Sequence, residues 1–260
     1  MKKEDLTPEE VIIHLFKIMI IVLLLVLGMW ADTGFAQDVK TFIPERGKLL
    51  VPVILEEQEK FFKEGVESAY LPALAEHESC ISLKHSKCMN PTSELLTSRE
   101  HGAGLFQITM AWKKDGSVRF DSLQSMKTRY KTELQELSWT NVKTRPDLQI
   151  RLAVLMVRDT YKSYHMVTDP FVRYHFTDND YNGGARDVKR ARIACNMALG
   201  CDSQLWFNNT ERYSPKSAIV MPGYGRSPKQ ISLHHTDDVF HNRLPKYQRY
   251  IRSLKEKDTP

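Results

Sequence analysis

Two carboxylates two residues apart mark the stretch Glu76-His77-Glu78-Ser79, near the end of a predicted helix. A carboxylic acid that is still protonated near neutral pH can cleave a glycoside by protonating the oxygen that leaves. Partial burial against apolar side chains keeps the acid protonated, because it disfavours the charged form. Glu76 and Glu78 point to different faces of a helix. The stretch therefore offers one general acid to a cleft beside it.

Two further stretches carry polar residues next to glycines: GAGLFQIT at 102–109, after a polar loop, and YNGG at 181–184, at a predicted helix junction. Each stretch alone is a weak signal. In this order and spacing the three stretches resemble lytic transglycosylases of the lysozyme superfamily. These enzymes carry a catalytic Glu followed by Ser, a Gly-Leu-Met-Gln segment and an Ala-Tyr-Asn segment. The resemblance spans roughly residues 72–184, and looser similarity beyond residue 195 is to phage- and prophage-encoded members.

The resemblance implies a role for each matching residue. Because the catalytic Glu of the family precedes a Ser, it favours Glu78 over Glu76 as the acid. It implies that the Ser79 hydroxyl orients Glu78, and that the other matching residues bind the glycan: Gly104 through its backbone, Gln107, Tyr181 and Asn182. This chain departs from the family at Phe106, which replaces Met and keeps an apolar cleft wall. It also departs at Asp180, which replaces Ala and either perturbs the site or points into solvent.

The implied reaction needs only one carboxylate. Glu78 donates a proton to the leaving oxygen and later accepts one from the C6 hydroxyl of muramic acid, which attacks C1 and forms a 1,6-anhydro product. No cofactor and no metal are implied. A lysozyme of the same fold is the alternative, with Glu94 or Glu100 positioning a water as the second carboxylate. A non-catalytic wall-binding protein that keeps the fold is a further alternative.

A histidine-rich stretch, HHTDDVFH at 234–241, could suggest a metal site. Its spacing matches no standard ligand pattern. We therefore predict a polar loop there.

The elements that must position these residues are mainly helical. Apolar periodicity predicts helices over 55–66, 121–137 and 147–165, and two more over 169–178 and 185–198, on either side of Gly183-Gly184. Pro72 opens another helix, with Glu78 near its end. Residues 81–104 are predicted to be irregular or a small β region lining the glycan cleft, and the chain beyond Cys201 to be loop-rich. The fold class is thus mainly α, an α+β lysozyme-like single domain over 53–260, preceded by a linker over 37–52.

The chain begins with a segment that resembles an export signal. Residues 18–27 form an uncharged apolar run, which favours a signal peptide over 1–36. Read over 11–30, the apolar stretch could instead remain as an inner-membrane anchor. Four cysteines form two local pairs, Cys80–Cys88 and Cys195–Cys201, and disulfides persist in oxidising compartments. We therefore expect an exported protein that is periplasmic, or anchored in the inner membrane and facing the periplasm.

The net charge points to an anionic partner. The chain carries +5 in total. Three lysines against five acidic residues give residues 1–36 a charge of −2, so the remainder carries +7. A basic exported domain suits an anionic polymer. We expect peptidoglycan glycan strands as the partner, no nucleic acid, and a monomer.

Overall fold

A computed structural model describes residues 39–221 and 225–257 of the chain. The chain divides into two units, Met1–Phe42 and Ile43–Pro260, and the fold and the site belong to the second. The predicted signal segment over 1–36, with its apolar stretch 11–30, lies outside the described residues. Among those described, no helix has the length and apolar character that a membrane span requires.

The second unit is mainly helical, with a small antiparallel sheet, as the sequence predicts for an α+β fold. Its α-helices are α1 (Glu45–Phe61), α2 (Tyr70–Ser79), α3 (Ser122–Arg129), α4 (Pro146–Ser163), α5 (Pro170–Gly183), α6 (Ala185–Asn196), α7 (Pro228–Asp237) and α8 (Leu244–Lys257). A 3₁₀ turn spans Thr210–Tyr213, and a π-helical turn over Asp238–Arg243 joins α7 to α8. The strands are β1 (Glu94–Leu96), β2 (Glu100–Ala103), β3 (Ile108–Trp112) and β4 (Val118–Asp121).

Helix α1 overturns the predicted linker over 37–52, because it begins at Glu45 and contains Pro52. A proline inside a helix leaves one carbonyl without its N–H partner and costs about 3 kcal/mol. Here that carbonyl belongs to Lys48, and the Tyr250 hydroxyl donates to it over 3.5 Å. Val51 and Ile54 are fully buried, which offsets the cost by roughly 1.5–3 kcal/mol each. Packing thus overrides the proline, and the compact unit begins before residue 53.

The four strands form an antiparallel meander in the order β1-β2-β3-β4. Glu94 of β1 lies opposite Ala103 of β2, and Glu100 of β2 lies opposite Ala111 of β3. The predicted β region over 81–104 is confirmed in its second half, but the sheet continues to Asp121. The helix predicted over 121–137 is shorter: Asp121 caps α3 by accepting from the Gln124 N–H at 2.8 Å, and turns follow Arg129.

Helix α4 lies at the centre of the unit and confirms the helix predicted over 147–165. One of its faces, with Ile150 and Val154, packs in the cluster that includes α1 and α2. Another face, with Leu152 and Leu155, packs in the cluster under the sheet and α3. Helix α2 is buried along almost its whole length, and only His77 and Glu78 are partly exposed. The core therefore fixes the helix end that carries Glu78.

The prediction of a loop-rich chain beyond Cys201 is confirmed for the described residues up to Ser227, apart from one 3₁₀ turn, and is wrong beyond it. Residues 228–257 are helical throughout. Ser227 and Gln230 form a capping box, in which each side chain accepts from the backbone N–H of the other. Asn179 of α5 then donates to the Ser232 hydroxyl of α7 over 3.0 Å. Helix α7 is thereby held against the helix that carries Tyr181.

Candidate active site

A cleft of about 670 Å³ runs between the end of α2, the sheet and the end of α5. It brings together most of the residues that the resemblance implied. The lining residues that the sequence analysis singled out are Glu78, Ser79, Glu94, Glu100, Gln107, Tyr181 and Asn182. The predicted cleft beside a small β region is therefore present.

Glu78 is held by a histidine that the sequence did not predict to be there. Its Oε1 lies 2.8 Å from Nε2 of His235, and the opposite ring nitrogen, Nδ1, lies 3.0 Å from Oδ2 of Asp178. Tyr70 donates its hydroxyl to the other oxygen of Asp178 at 3.2 Å. The chain Asp178–His235–Glu78 thus joins α5, α7 and α2. It places the last member at the cleft.

Burial decides which of these groups meets solvent. The side chains of Asp178 and His235 are 0% and 4% exposed, whereas that of Glu78 is 16% exposed. Burial disfavours the cationic form of His235, but the carboxylates of Asp178 and Glu78 outweigh it and raise the pKa of His235 to about 10. Burial raises the pKa of Asp178, yet the charge of His235 outweighs it and holds that pKa below its ordinary value. His235 is therefore an imidazolium at neutral pH, with the Asp178 carboxylate on one side and the side chain of Glu78 on the other.

Ser79 does not have the role that the resemblance implied. Its hydroxyl donates to the Ala75 carbonyl at 2.6 Å and accepts from the Met89 N–H at 3.1 Å. It therefore ties the end of α2 to the loop closed by Cys80 and Cys88, instead of orienting Glu78. That prediction is wrong, because the backbone groups around a helix end compete for the hydroxyl.

The predicted disulfides Cys80–Cys88 and Cys195–Cys201 are both present. The first follows Glu78 by two residues, and Cys80 lines the cleft. Closing this short loop restricts the wall of the cleft on the side of Glu78.

The two glycines of the 102–109 stretch make room for the side chains of two glutamines, Gln107 and Gln149. Gly104 has φ +79°, and a Cβ there would lie 2.2 Å from the Gln149 side chain, so only glycine fits. A Cβ on Gly102 would lie 2.6 Å from the amide oxygen of Gln107. The amide nitrogen of Gln107 donates to the Gly104 carbonyl at 2.9 Å. Gln107 lines the cleft, as predicted, whereas Gly104 lies behind it and supports Gln107.

Tyr181 and Asn182 occupy the last turn of α5, at the cleft. The Tyr181 hydroxyl donates to the Phe106 carbonyl at 2.6 Å. Burial, followed by the charges of Glu78 and Asp178, raises the pKa of Tyr181 well above its ordinary value, so it remains a neutral donor. The Phe106 ring is fully buried and belongs to the core, not to the cleft wall that we predicted. Asp180 accepts from the Tyr164 hydroxyl at 2.8 Å and does not line the cleft.

The two candidates for a second carboxylate differ in their partners. Glu94 accepts from Lys143 at 2.9 Å and lies 2.8 Å from the His101 ring. The Lys143 ammonium, together with His101, holds the pKa of Glu94 below its ordinary value. The Glu100 side chain makes no hydrogen bond or ion pair to any residue that the structure describes. Of the two, Glu100 is thus the carboxylate that is free to meet a substrate or water.

The stretch 234–241 is helical, which corrects the predicted polar loop. Its residues His235 and Asp238 are buried. Over 39–221 and 225–257, no group of three or more His, Cys, Asp or Glu side chains is arranged to hold a metal ion. Sequence reasoning missed His235 and Asp178 as site residues. The pattern Ser-Pro-Lys-Gln at 227–230 is a capping-box signature and could have revealed the helix, but not its partner.

No protein-family model matches the chain, and no curated protein matches it either.

Proposed function

We propose that the protein cleaves the β-1,4 bond between N-acetylmuramic acid and N-acetylglucosamine in peptidoglycan, acting as a lytic transglycosylase with Glu78 as the acid. The observation that carries the proposal is that the two oxygens of the Glu78 carboxyl group differ in their hydrogen-bond partners. Its Oε1 is engaged by His235, and its Oε2 has no partner among the described residues. Because Glu78 lines an open cleft, Oε2 is the oxygen that can meet a glycosidic oxygen.

The reaction then proceeds in two steps at Glu78. The protonated carboxyl gives its proton to the glycosidic oxygen, and the bond between that oxygen and C1 breaks. The C6 hydroxyl of the muramic acid next attacks C1 and returns a proton to the Glu78 carboxylate. The product ends in 1,6-anhydromuramic acid, and Glu78 ends the cycle as it began. No second carboxylate is needed.

The other lining residues suit a sugar polymer. Gln107 and Asn182 present amides, which can both donate to and accept from hydroxyl and N-acetyl groups. Exposed Leu95 and Ile81 supply apolar surface on the same cleft. Sites for small organic groups commonly combine apolar walls with a few placed polar groups.

The two disulfides indicate an oxidising environment outside the cytoplasm. We place the activity in the periplasm, where peptidoglycan is accessible. The context that we propose is phage-type host lysis, or the opening of a local gap in the wall. Whether residues 11–30 anchor the protein to the inner membrane can be read from the mass of the mature chain.

A hydrolytic lysozyme is the second candidate, and Glu100 is the observation that favours it. A water held by this carboxylate could attack C1 in place of the C6 hydroxyl. The product would then end in reducing muramic acid.

The chemical identity of the released end separates these candidates. We expect mass spectrometry of digested peptidoglycan to show anhydro ends, which are lighter by one water than reducing ends. Borohydride should leave these anhydro ends unchanged, whereas it would reduce reducing ends. Glu100→Gln should keep these products and lose less than about threefold in rate, with Glu94→Gln as the matched control on the neighbouring strand. Reducing ends in the wild type, together with loss of activity in Glu100→Gln, would establish the lysozyme. A zymogram without clearing would instead favour a non-catalytic wall-binding protein.

A further inference from the structure

Hydrogen bonds connect Glu78 to side chains on two other helices, α7 and α5. His235 of α7 lies between Asp178 and Glu78, at 3.0 Å and 2.8 Å, and both ring nitrogens are engaged. Asp178 is itself fixed by Tyr70 and by the adjacent Thr236. A buried group with every polar atom engaged has one orientation. Oε1 of Glu78 therefore has a fixed partner.

Among the titratable side chains that surround His235, His235 itself carries the positive charge. On α2, its neighbours are Glu78 and His77, whose ring centre lies 4.1 Å from its own. Burial, together with the charge of His235, lowers the pKa of His77, so that His77 is neutral and donates to Asp238 of the π-helical turn at 2.7 Å. On α5, Asp178 is an anion and Tyr181 is neutral. One imidazolium thus lies against the carboxyl that must gain and lose a proton.

We propose that His235, held by Asp178, is a positioning residue that directs Oε2 of Glu78 at the glycosidic oxygen and stabilises the carboxylate once its proton has left. This inference rests on the proposed function. Nε2–H of His235 donates to Oε1 throughout, while Oε2 gives its proton to the leaving oxygen as the bond to C1 breaks. The positive charge then lies beside the new carboxylate. As the C6 oxygen bonds to C1, its proton passes to Oε2, and His235 keeps both of its own protons.

Two substitutions separate the effect of the positive charge of His235 from the effect of its packing in the core. His235→Gln keeps an amide N–H that can reach Glu78 but removes the charge. Asp178→Asn keeps the histidine and an oxygen acceptor but removes the anion that favours the imidazolium. His234→Gln changes the exposed neighbour on the same helix and is the matched control. Thermal unfolding of each variant reports whether it is folded.

For His235→Gln we expect kcat on soluble glycan strands to fall by about 100-fold with KM within about twofold, since the lost interaction strengthens only as charge develops. For Asp178→Asn we expect activity to fall as pH rises through neutrality and to recover towards wild type at lower pH, because His235 then titrates in that range. His234→Gln should retain wild-type kcat and pH profile. Wild-type kcat and pH profile in both folded site variants would overturn the inference.

Nuclear magnetic resonance of isotope-labelled histidine tests the same pairing without turnover. We expect the His235 imidazole of the wild type to remain protonated well above pH 6.5, and to titrate at lower pH in Glu78→Gln and in Asp178→Asn. If the wild type cleaves no glycan but His235 behaves in this way, the proposed function fails while the pairing stands. If His235 titrates near 6.5 in the wild type, the inference fails even if glycan cleavage is observed. The wild-type measurement also decides the matter if a variant does not fold.

Discussion

Glu76 and Glu78 are two residues apart on α2, and both meet side chains from residues 228–257, yet their surroundings differ completely. Glu76 is fully buried, and both of its oxygens are engaged. Its partners are Arg243 at 2.6 Å, Lys246 at 2.6 Å and Tyr247 at 2.8 Å. Glu78 has one oxygen on His235 and lies at the edge of a cleft. Both oxygens of Glu76 therefore have partners, whereas one oxygen of Glu78 has none among the described residues.

The difference teaches that the helix end and the C-terminal segment serve two purposes at once. The Glu76 cluster joins α2 to the π-helical turn and α8, because a buried carboxylate requires cations and donors around it. The π-helical turn of this junction follows directly on α7, the helix that carries His235. Glu76 stabilises the fold, while Glu78 remains available for proton transfer.

The largest expected effect concerns Glu78. Glu78→Gln should lower glycan cleavage by about 10²–10⁴-fold, the contribution of a general acid. The amide oxygen can still accept from His235, so the protein should fold as the wild type does. Rates on soluble glycan strands and circular dichroism check the two parts. Substantial activity in the folded variant would remove Glu78 from the mechanism and, with it, the contrast with Glu76.

The next effect is on stability. Glu76→Gln leaves the cations of Arg243 and Lys246 without their shared carboxylate, and removing one partner of a buried ion pair costs about 3–5 kcal/mol. Urea denaturation should show this loss, and activity per folded molecule should be retained. Glu56→Gln, on the exposed Glu56–Lys60 pair, is the control and should leave the stability nearly unchanged, because water screens an exposed ion pair. Equal stability of the two variants would contradict a structural role for Glu76.

A smaller effect should follow from pH. The pKa of His235 is raised from its ordinary 6.5 to about 10, so its contribution to stability is complete below about pH 6.5 and is lost as pH rises towards 10. The free energy of unfolding should therefore fall with pH above 6.5, by at most about 1.4 kcal/mol per unit for one proton. His235→Gln should lack this slope. Urea denaturation of both proteins between pH 6.5 and 9 measures the difference, and parallel curves would show that His235 is not the cationic partner of Glu78.

Local signals in the sequence predicted much of the fold. The stripe of apolar residues over 147–165 became α4, and the polar stretch 81–104 became part of the sheet. Both disulfides were predicted from cysteines that lie a few residues apart, because no other cysteine is near either pair in the sequence. Gln107 at the cleft was implied by the resemblance of the 102–109 stretch to the Gly-Leu-Met-Gln segment, and it does line the cleft.

Other predictions failed where packing outweighed a local preference. Pro52 indicates a break, yet α1 continues through it because Val51 and Ile54 are buried on either side. The polar stretch 234–241 indicates a loop, but its His235 and Asp238 face partners more than 150 residues away in the chain. The resemblance implies that Ser79 orients Glu78, whereas in the fold its hydroxyl bonds to the backbone of Ala75 and Met89.

The sequence by itself determined the helical class, the paired cysteines and a carboxyl near the end of a helix beside a glycine-rich turn, since these depend on residues close together in the chain. The tertiary structure alone decided which carboxylate faces the cleft and which residues hold it. Asp178, His235 and Glu78 come from three helices, and the charge of each depends on the other two. Such mutual dependence arises only when packing has removed water from between them.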